Sequence, residues 1–425
     1  MKSLSLATAF IAALIPFQLA CAGQLNLPVQ KLLPPYPAAS DLWFGNDVDI
    51  DGPHLVVSSP TSANSGGAAY VYELGPGGWA YQATLASPSL NDEEYFFFGR
   101  KAAVSGGGGA APARVMVSSD GGGRLFEKSG ANWSEVALFP GGYGAGYGNV
   151  DVAVAGDVAV SVVSQPGARA FQFQGGAWNA GATLSPVVPD GSGLDGSFGE
   201  EIVIDGDYVF VSAASQDHST INSGAVFVYK IVDNQLVSAK TVGPPNPVFR
   251  GSFGYGIDAD DGTLVVGRPG GSPSANGPIQ GLAYIYENFG DDWSETARLQ
   301  ASDGFPGDSF GSKVAISGNF AAVSSWSAAD GGRVYLFRRD LAGWNELGWL
   351  KTGEPFPEDQ FGISLKLDGR HLVIGARIDS QIGSDAGAVY VYAIPEPSAW
   401  SIFVTGVAAI LTRFRWRRRL QSHHA

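Results

Sequence analysis

The sequence predicts an all-β protein, a seven-bladed β-propeller built from four-stranded antiparallel blades. The chain of 425 residues contains 59 glycines, 25 prolines and only 16% charged residues, a composition typical of many short strands joined by tight turns. A Phe-Gly pair, or a close variant, recurs seven times at intervals of 49 to 57 residues. The same order of strand and turn patterns follows each pair, and a fixed period of this size indicates a stacked or radial array.

The Phe-Gly pair marks the start of each predicted blade. We expect the aromatic side chain to fill the space between neighbouring blades and the glycine to allow a close approach of the innermost strand. The third copy has tyrosine in place of phenylalanine. The seven pairs are Phe44 and Gly45, Phe98 and Gly99, Tyr147 and Gly148, Phe198 and Gly199, Phe253 and Gly254, Phe310 and Gly311, and Phe361 and Gly362.

Each repeat then predicts four strands in the same order. In the fourth copy Ile202 and Ile204 recur with the period of two that is typical of a strand, and Asp205-Gly206 supplies a hairpin turn that needs a positive φ. A nearly all-apolar strand, a polar loop and a strand ending in aromatic residues follow. The fourth strand often carries a tryptophan, namely Trp79, Trp133, Trp178, Trp293 and Trp344. Four strands in each of seven repeats place residues 23–394 in one propeller.

The count of strands predicts how the ring closes. After Phe361 the chain has only three strands before it reaches Pro395, so blade 7 lacks its outer strand. Residues 27–34 resemble the segments that precede the other Phe-Gly pairs. We therefore expect residues 27–34 to complete blade 7 by pairing antiparallel with Val389–Tyr392, which removes the open seam of an unsealed array.

These motifs resemble FG-GAP repeats, the family that includes the propeller blades of integrin α-subunits. The resemblance covers about residues 43–394; blades 4 to 7 match it well, and blades 2 and 3 are degenerate. Longer repeats of the family bind Ca²⁺ in an aspartate-rich loop. Here the aspartates of residues 47–52, "DVDIDG", alternate with Val48 and Ile50, which favours a solvated strand face over a calcium loop. No cofactor is expected, and weak Ca²⁺ binding at this segment is the alternative.

Residues 1–22 are typical of a secretory signal peptide. Lys2 supplies the positive start, residues 5–17 are mainly apolar, and Ala20 and Ala22 are the small residues that precede the cut. A lipoprotein cut before Cys21 is the alternative. Cys21 is the chain's only cysteine, so after a cut at Ala22 no disulfide is available.

The C-terminal segment 395–425 joins Pro-Glu-Pro to an apolar run and an arginine cluster. The apolar residues 398–412 would span only about 22 Å as a helix, less than the roughly 30 Å of a bilayer core. Arginines occupy much of 413–419 and should stay cytoplasmic. The motif residues are Pro395, Glu396, Pro397, Arg413, Arg415, Arg417, Arg418 and Arg419.

This order of features resembles the PEP-CTERM sorting tail of Gram-negative bacteria. The resemblance implies transient insertion in the inner membrane through a short transmembrane helix and recognition by an exosortase-type enzyme. It also implies removal of the tail and release to the cell surface or extracellular matrix. A short single-pass anchor is the alternative.

The sequence predicts a non-enzymatic binding or structural protein of the cell surface or exopolysaccharide matrix. It contains no His-Glu-x-x-His motif and no cysteine ligand set. The net charge of −14 argues against a nucleic-acid partner. We expect a polysaccharide or surface-protein ligand on the face that carries the long loops between second and third strands and between blades.

The alternative function is a propeller hydrolase or lyase that acts on polysaccharide. Such an enzyme would use carboxylates of the long-loop face as acid and base. The acidic residues of those loops are Asp92, Glu93, Glu94, Asp190, Asp195, Asp303, Asp308, Glu358 and Asp359.

Two histidines, His54 and His371, occupy the same repeat position in blades 1 and 7, which become neighbours when the ring closes. A metal pair is one interpretation. Exposure at a turn is the other, and we expect it because no third ligand shares the position. No metal site is therefore predicted.

Overall fold

A computed structural model shows how far these expectations hold for the residues that it describes. Those are residues 23–35, 42–61, 66–86, 98–108, 111–119, 122–140, 151–164, 167–184, 197–218, 220–233, 235–270, 280–353, 359–380 and 383–395. The predicted signal peptide, the sorting tail beyond Pro395 and the Tyr147-Gly148 pair lie outside them. Within these ranges no helix has the length and apolar character needed to cross a membrane.

Twenty-eight strands form seven sheets of four in the described residues. Blades 1 to 3 comprise β2 Val48–Asp51, β3 His54–Ser59, β4 Ala68–Gly75, β5 Gly78–Ala86; β6 Ala102–Ser105, β7 Arg114–Ser119, β8 Gly122–Ser129, β9 Asn132–Pro140; β10 Val152–Ala155, β11 Val158–Ser164, β12 Gly167–Gln174 and β13 Ala177–Leu184. Blades 4 and 5 comprise β14 Ile202–Asp205, β15 Tyr208–Ala213, β16 Ala225–Val232, β17 Gln235–Val242; β18 Ile257–Asp260, β19 Thr263–Arg268, β20 Leu282–Asn288 and β21 Trp293–Leu299. Blades 6 and 7 comprise β22 Val314–Ser317, β23 Phe320–Ser325, β24 Arg333–Asp340, β25 Gly343–Leu350; β26 Phe361–Asp368, β27 His371–Ala376, β28 Ala388–Ala393 and β1 Val29–Leu32.

Each sheet is an antiparallel meander, so the predicted fold class, a seven-bladed propeller of four-stranded blades, is confirmed. Blade 4 shows the rule: Ile202 pairs with Val211 and Asp205 with Tyr208 across the predicted Asp-Gly turn. Blades 2 and 3, whose repeats are degenerate in sequence, still form four strands each.

The outer strand of blade 7 comes from the other end of the chain. Val29 pairs with Tyr392 and Leu32 with Val389, antiparallel. Just before β1, the Leu25 amide donates to the Trp349 carbonyl at 2.8 Å, and Trp349 belongs to β25 of blade 6. The N-terminal segment therefore joins the outer edges of blades 6 and 7 before the chain enters blade 1.

The Phe of each described Phe-Gly pair lies between two blades. Phe44 is fully buried in a cluster that contains Val373 and Val389 of blade 7. Its ring also contacts Tyr70 and Tyr72 of β4, with centroids 5.6 and 6.4 Å apart. Edge-to-face pairs of this kind repeat around the ring and add specific packing energy to the buried apolar area.

The Gly of the pair is required for two reasons. Gly311 has a φ of +93°, which side chains rarely adopt. A Cβ at Gly311 would also lie 2.4 Å from the Leu282 carbonyl oxygen, and one at Gly45 would lie 2.8 Å from the Ala388 oxygen. The close approach that we expected near the axis is thus made to the third strand of the preceding blade.

The loop between the second and third strands differs in length from blade to blade. In blades 2 and 3 only residues 120–121 and 165–166 separate the second and third strands, whereas residues 214–224, 269–281 and 377–387 do so in blades 4, 5 and 7. These loops open at the same end of the ring as the Phe-Gly pairs, because every inner strand runs from Phe-Gly toward the Asp-Gly turn. The long-loop face is therefore uneven.

Candidate functional site: the central channel

Alternate residues of the seven inner strands, together with the residues that directly precede six of those strands, line a central channel in three layers. A cavity of about 310 Å³ runs along it. The upper layer, nearest the Phe-Gly pairs, comprises Asp47, Lys101, Asp151, Glu201, Gly256, Lys313 and Ser364. The middle layer comprises Asp49, Ala103, Ala153, Val203, Asp258, Ala315 and Lys366. The lower layer, before the turn glycines, comprises Asp51, Ser105, Ala155, Asp205, Asp260, Ser317 and Asp368.

A ring of hydrogen bonds joins the blades in the lower layer. The Asp51 carboxylate accepts from the Gly106 amide of blade 2 at 2.7 Å, and the Asp368 carboxylate closes the ring by accepting from Gly52 at 2.7 Å. Only Ala155, at the seventh position, has no side-chain oxygen. The six links run from Asp51 to Gly106, Ser105 to Gly156, Asp205 to Gly262, Asp260 to Gly318, Ser317 to Gly369 and Asp368 to Gly52.

Sequence reasoning assigned these aspartates to the hairpin turns alone and missed this turn-end ring. Each link satisfies an amide on the inner edge of a sheet, where no further strand provides an acceptor. The available signal was the recurrence of Asp or Ser as the last residue of the inner strand, next to the turn glycine or, in blade 5, one residue before it. A turn in isolation does not need an oxygen-bearing side chain at that position in six of seven blades.

Aspartates of the upper and middle layers bind the neighbouring strand in the same way. The amides of Ala102 and Val104 donate to Asp47 and Asp49 at 3.0 and 2.8 Å, so "DVDIDG" binds β6 of blade 2. Its polar face thus lines the channel. Among the residues that the structure describes, no group of three His, Cys, Asp or Glu side chains is placed to hold a metal ion.

Three side chains from blades 2, 4 and 6 meet in the upper layer and form what we call the upper triad. The Lys101 ammonium donates to the Glu201 carboxylate at 2.9 Å, and Lys313 donates to the same oxygen. Burial opposes ionisation of Glu201, but the two ammonium groups outweigh it and lower the pKa of Glu201 to about 2. Glu201 is therefore ionised at any physiological pH.

A second ionic cluster lies one layer below. Lys366 donates to Asp258 at 2.7 Å and lies 3.7 Å from Asp49. Burial raises the pKa of Asp49 to about 6, although Lys366 partly offsets that effect. Burial also raises the pKa of Asp151 in the upper layer to about 7, with Glu201 and Asp47 repelling its charge. The channel thus holds carboxylates with widely separated pKa values.

A smaller cavity of about 150 Å³ lies at the Phe-Gly end, and the upper triad lines both cavities. Four cationic and two anionic side chains line this Phe-Gly-end cavity, whereas three cationic and eight anionic ones line the larger cavity. The charge of the channel therefore changes sign along its axis. The lining residues of the Phe-Gly-end cavity are Asn46, Arg100, Lys101, Glu200, Glu201, Tyr255, Lys313, Ile363 and Arg377.

Arg377 gives this cavity an uncompensated positive charge. Its guanidinium donates to the side-chain oxygens of Gln360 at 2.7 Å and Asn46 at 3.1 Å, which are both neutral, and stacks over Trp43 at 5.2 Å. No carboxylate pairs with it in the described part of the chain. Burial lowers the pKa of Arg377, and the charge of Arg100 acts in the same direction.

The two histidines do not form a pair. His54 packs edge-on against Trp133 of blade 2, with centroids 6.0 Å apart, and His371 packs against Trp79 of blade 1 at 5.6 Å. His54 is only 6% exposed, so the expected exposure of this turn histidine is wrong. Each ring instead fills the seam under the tryptophan of the next blade.

The described acidic residues of the long-loop face have structural partners. Asp303 pairs with Arg333 at 2.8 Å and accepts from the Tyr335 hydroxyl at 2.8 Å. Asp308 accepts from the Phe305 amide at 2.9 Å. Asp359 is 2% exposed. The others of that set, from blades 1, 3 and 6, lie outside the described residues.

Comparison with known protein families supports the propeller interpretation. Three segments match the FG-GAP repeat. They are residues 28–72, 293–337 and 344–392, which contain the closing strand with most of blade 1, the last strand of blade 5 with most of blade 6, and much of blade 7. The FG-GAP matches thus lie next to one another around the closed ring. No curated protein matches the chain.

Two solved structures show a weak similarity to this chain. One is a protein from Lactobacillus plantarum, with 12% sequence identity and a TM-score of 0.49. The other, from Bacteroides uniformis and provisionally described as a 6-phosphogluconolactonase, has 11% identity and a TM-score of 0.49. Each covers 73% of this chain and 86% of its own length. At these values neither likeness bears on function.

Proposed function

We propose that this chain is an exported, non-enzymatic propeller that binds a component of the cell surface or exopolysaccharide matrix. Its PEP-CTERM-like tail would be processed by an exosortase-type enzyme. The observation that carries the binding role is the cationic Phe-Gly-end cavity on a protein of net charge −14. A local charge opposite to that of the whole protein favours a specific anionic ligand over general attraction to anionic surfaces.

The scaffold supports this role because it is rigid where the cavity lies. Lys101, Glu201 and Lys313 directly precede the inner strands β6, β14 and β22. The turn-end ring and the closing strand β1 hold those strands together. Sites on packed strands keep their geometry better than sites on loops. The long loops of blades 4, 5 and 7 surround the same end and can add contacts to a larger ligand.

The described carboxylates favour binding over hydrolysis. A glycosidase needs two accessible carboxyl groups on either side of the scissile bond. Asp359 is buried, Asp303 is bound to Arg333 and Tyr335, and Asp308 caps its own loop. These contacts give each side chain a structural role.

Incubation of purified residues 23–395 with exopolysaccharide isolated from the host tests the proposal. We expect the protein to co-sediment with the polymer and to release no new reducing ends. Depolymerisation that is lost in Asp308→Asn would establish the hydrolase alternative instead. Absence of both binding and depolymerisation would overturn the matrix-binding role.

The intact mass of the protein recovered from the cell surface and medium tests export and processing. We expect the mature form to lack residues 1–22 and most of the segment after Pro395. Retention of Arg417–Arg419 in surface material would show that the tail is a plain membrane anchor.

A further inference from the structure

We propose that the Phe-Gly-end cavity binds a single carboxylate-bearing sugar residue, a uronate, of an acidic polysaccharide. This inference rests on the proposed matrix-binding function and names the chemistry of its ligand. Two cationic groups with spare donors, one uncompensated guanidinium and one exposed aromatic ring converge on the cavity. Together they match a carboxylate attached to a sugar ring.

The two lysines of the upper triad have hydrogen-bond donors to spare. An ammonium group has three N–H donors, and within the described residues Lys101 and Lys313 each donate one hydrogen bond, to Glu201. Lys101 also lies 3.7 Å from the Asp47 carboxylate, on the channel side, whereas Lys313 has Glu201 as its one carboxylate partner in the described part of the chain. Glu201 shows that this pair of lysines accepts a carboxylate between them. A second carboxylate that enters from the Phe-Gly end would meet the remaining donors.

Arg377 supplies the geometric recognition. Its Nε and one Nη donate to the neutral Gln360 and Asn46, which fixes the plane of the guanidinium. The second Nη, with two N–H donors, has no partner in the described part of the chain. A planar guanidinium held in this way matches a carboxylate better than a flexible ammonium does.

Tyr255 supplies the contact for the sugar ring. It follows the Phe-Gly pair of blade 5 and is 41% exposed, whereas the aromatic residues that pack against the Phe-Gly phenylalanines are buried. Lys313 lies 5.9 Å from the centroid of the Tyr255 ring, so an apolar face and a cation border the same space. An amphipathic ring of this kind suits a ligand with an apolar face and a polar rim.

The size of the cavity limits the ligand to one sugar unit. Its volume of about 150 Å³ is half the lower end of the ~300–1,000 Å³ range of sites for drug-sized molecules. Below it the three side chains of the upper triad meet across the channel. We therefore expect recognition of a terminal or projecting uronate residue.

Calorimetric titration of residues 23–395 with sodium glucuronate, glucose and sodium sulfate tests the inference. We expect glucuronate to bind with a Kd of about 1 mM, more tightly than sulfate by at least about fivefold, and glucose not to bind. Arg377→Gln and Lys313→Gln should each weaken glucuronate about tenfold, which equals the loss of one charge-assisted hydrogen bond. Tyr255→Ala should weaken glucuronate and leave sulfate unchanged.

Arg339→Gln provides the matched control, because Arg339 pairs with Glu287 away from this cavity. The control should bind glucuronate like the unmodified protein, and circular dichroism should show that every variant is folded at the temperature of the titration. Failure to bind glucuronate would overturn the inference, as would equal affinity for sulfate or glucose, or unaltered affinity in both Arg377→Gln and Lys313→Gln. If glucuronate does not bind but the host polymer still co-sediments, the uronate assignment is wrong and the matrix-binding role is retained. If glucuronate binds but the polymer does not co-sediment, the matrix-binding role is wrong.

Discussion

The two ends of the central channel follow different rules. At the turn end, six of seven blades place an Asp or Ser at the same position, and all six accept from the turn glycine of the next blade. At the Phe-Gly end, the residues after the motif differ from blade to blade. Arg100, Glu200 and Tyr255 occupy equivalent positions there with three different chemistries.

This difference between the two ends distinguishes residues that assemble the blades from residues that could recognise a ligand. Six of the seven interfaces between blades use the same turn-end hydrogen bond, and the aromatic residue of the Phe-Gly pair packs between blades, so the residues that serve assembly recur with the repeat. A ligand on the axis of the ring is bound once and has no sevenfold symmetry. Residues that break the repeat, such as Lys313 and Arg377, are therefore the best candidates for function.

Removal of the closing strand would have the largest effect, because both channel ends depend on a closed ring. Deletion of residues 24–34 eliminates the β1–β28 ladder and the buried Leu27 and Leu32. We expect a loss of about 5 kcal/mol or more in unfolding free energy, measured by chemical denaturation of residues 23–395. Val29→Ala is the control, since Val29 is 50% exposed. A deletion variant as stable as the parent would contradict closure through β1.

The assembly role of the turn end can be tested at Asp368. Asp368→Ala removes the acceptor for the Gly52 amide at the seam between blades 7 and 1. We expect a loss of about 1–2 kcal/mol in denaturant unfolding, with no change in glucuronate binding. Asp207→Ala, at an exposed turn position outside the ring, should change stability by less than about 0.5 kcal/mol. Equal effects of the two substitutions would mean that the turn-end ring does not hold the blades.

The carboxylates of the upper and middle layers predict an acidic stability optimum. The folded pKa of Asp151, about 7, and of Asp49, about 6, lie above the unfolded value, so their contribution is complete near pH 4 and is lost as pH rises through 6 to 7. Glu201 has a folded pKa of about 2, below its unfolded value of about 4.3, so its contribution to stability is lost only as the pH falls below about 4.3. Tm should therefore fall from pH 5 to pH 8, and less so in Asp151→Asn. A Tm that rises over this range would contradict the burial of these carboxylates.

Substitution of Ala155 is expected to increase the unfolding free energy of the protein. Its equivalents Ser105 and Ser317 accept from the next turn glycine at 3.0 Å, so Ala155→Ser should add the seventh link, to the Gly206 amide. We expect up to about 1 kcal/mol of stabilisation in denaturant unfolding. Ala153→Ser, one layer higher on β10, should bring no gain. If both substitutions change the unfolding free energy equally, a hydroxyl at position 155 does not form the seventh link of the turn-end ring.

Chelation should have the smallest effect. The aspartates at 47, 49 and 51 already accept backbone amides of β6 or the following turn. We therefore expect the Tm in excess EDTA to match that in CaCl₂ to within about 1 °C. A fall of more than about 10 °C, several kcal/mol by linkage, would show that Ca²⁺ is part of the folded state.

The sequence by itself determined the propeller fold, because each repeat specifies the strands and turns of one blade through short-range sequence patterns. Alternating strands, turn glycines and a regular Phe-Gly period are all short-range patterns, and counting them gave the number of blades and of strands. The missing outer strand of blade 7 also followed from counting, and the structure has β1 at that position. Degenerate motifs in blades 2 and 3 still folded as blades, because neighbouring sheets supply packing that their own sequence signals only weakly.

Only the tertiary structure determined which side chains meet in the channel. Lys101, Glu201 and Lys313 are about 100 residues apart in sequence, and they meet because their strands converge on one axis. Arg377 enters the same space from the end of the second strand of blade 7. Such contacts depend on the angles between all seven sheets and on closure of the ring. No local sequence pattern predicts those angles. The repeat therefore specifies the ring, and closure of the ring creates the site.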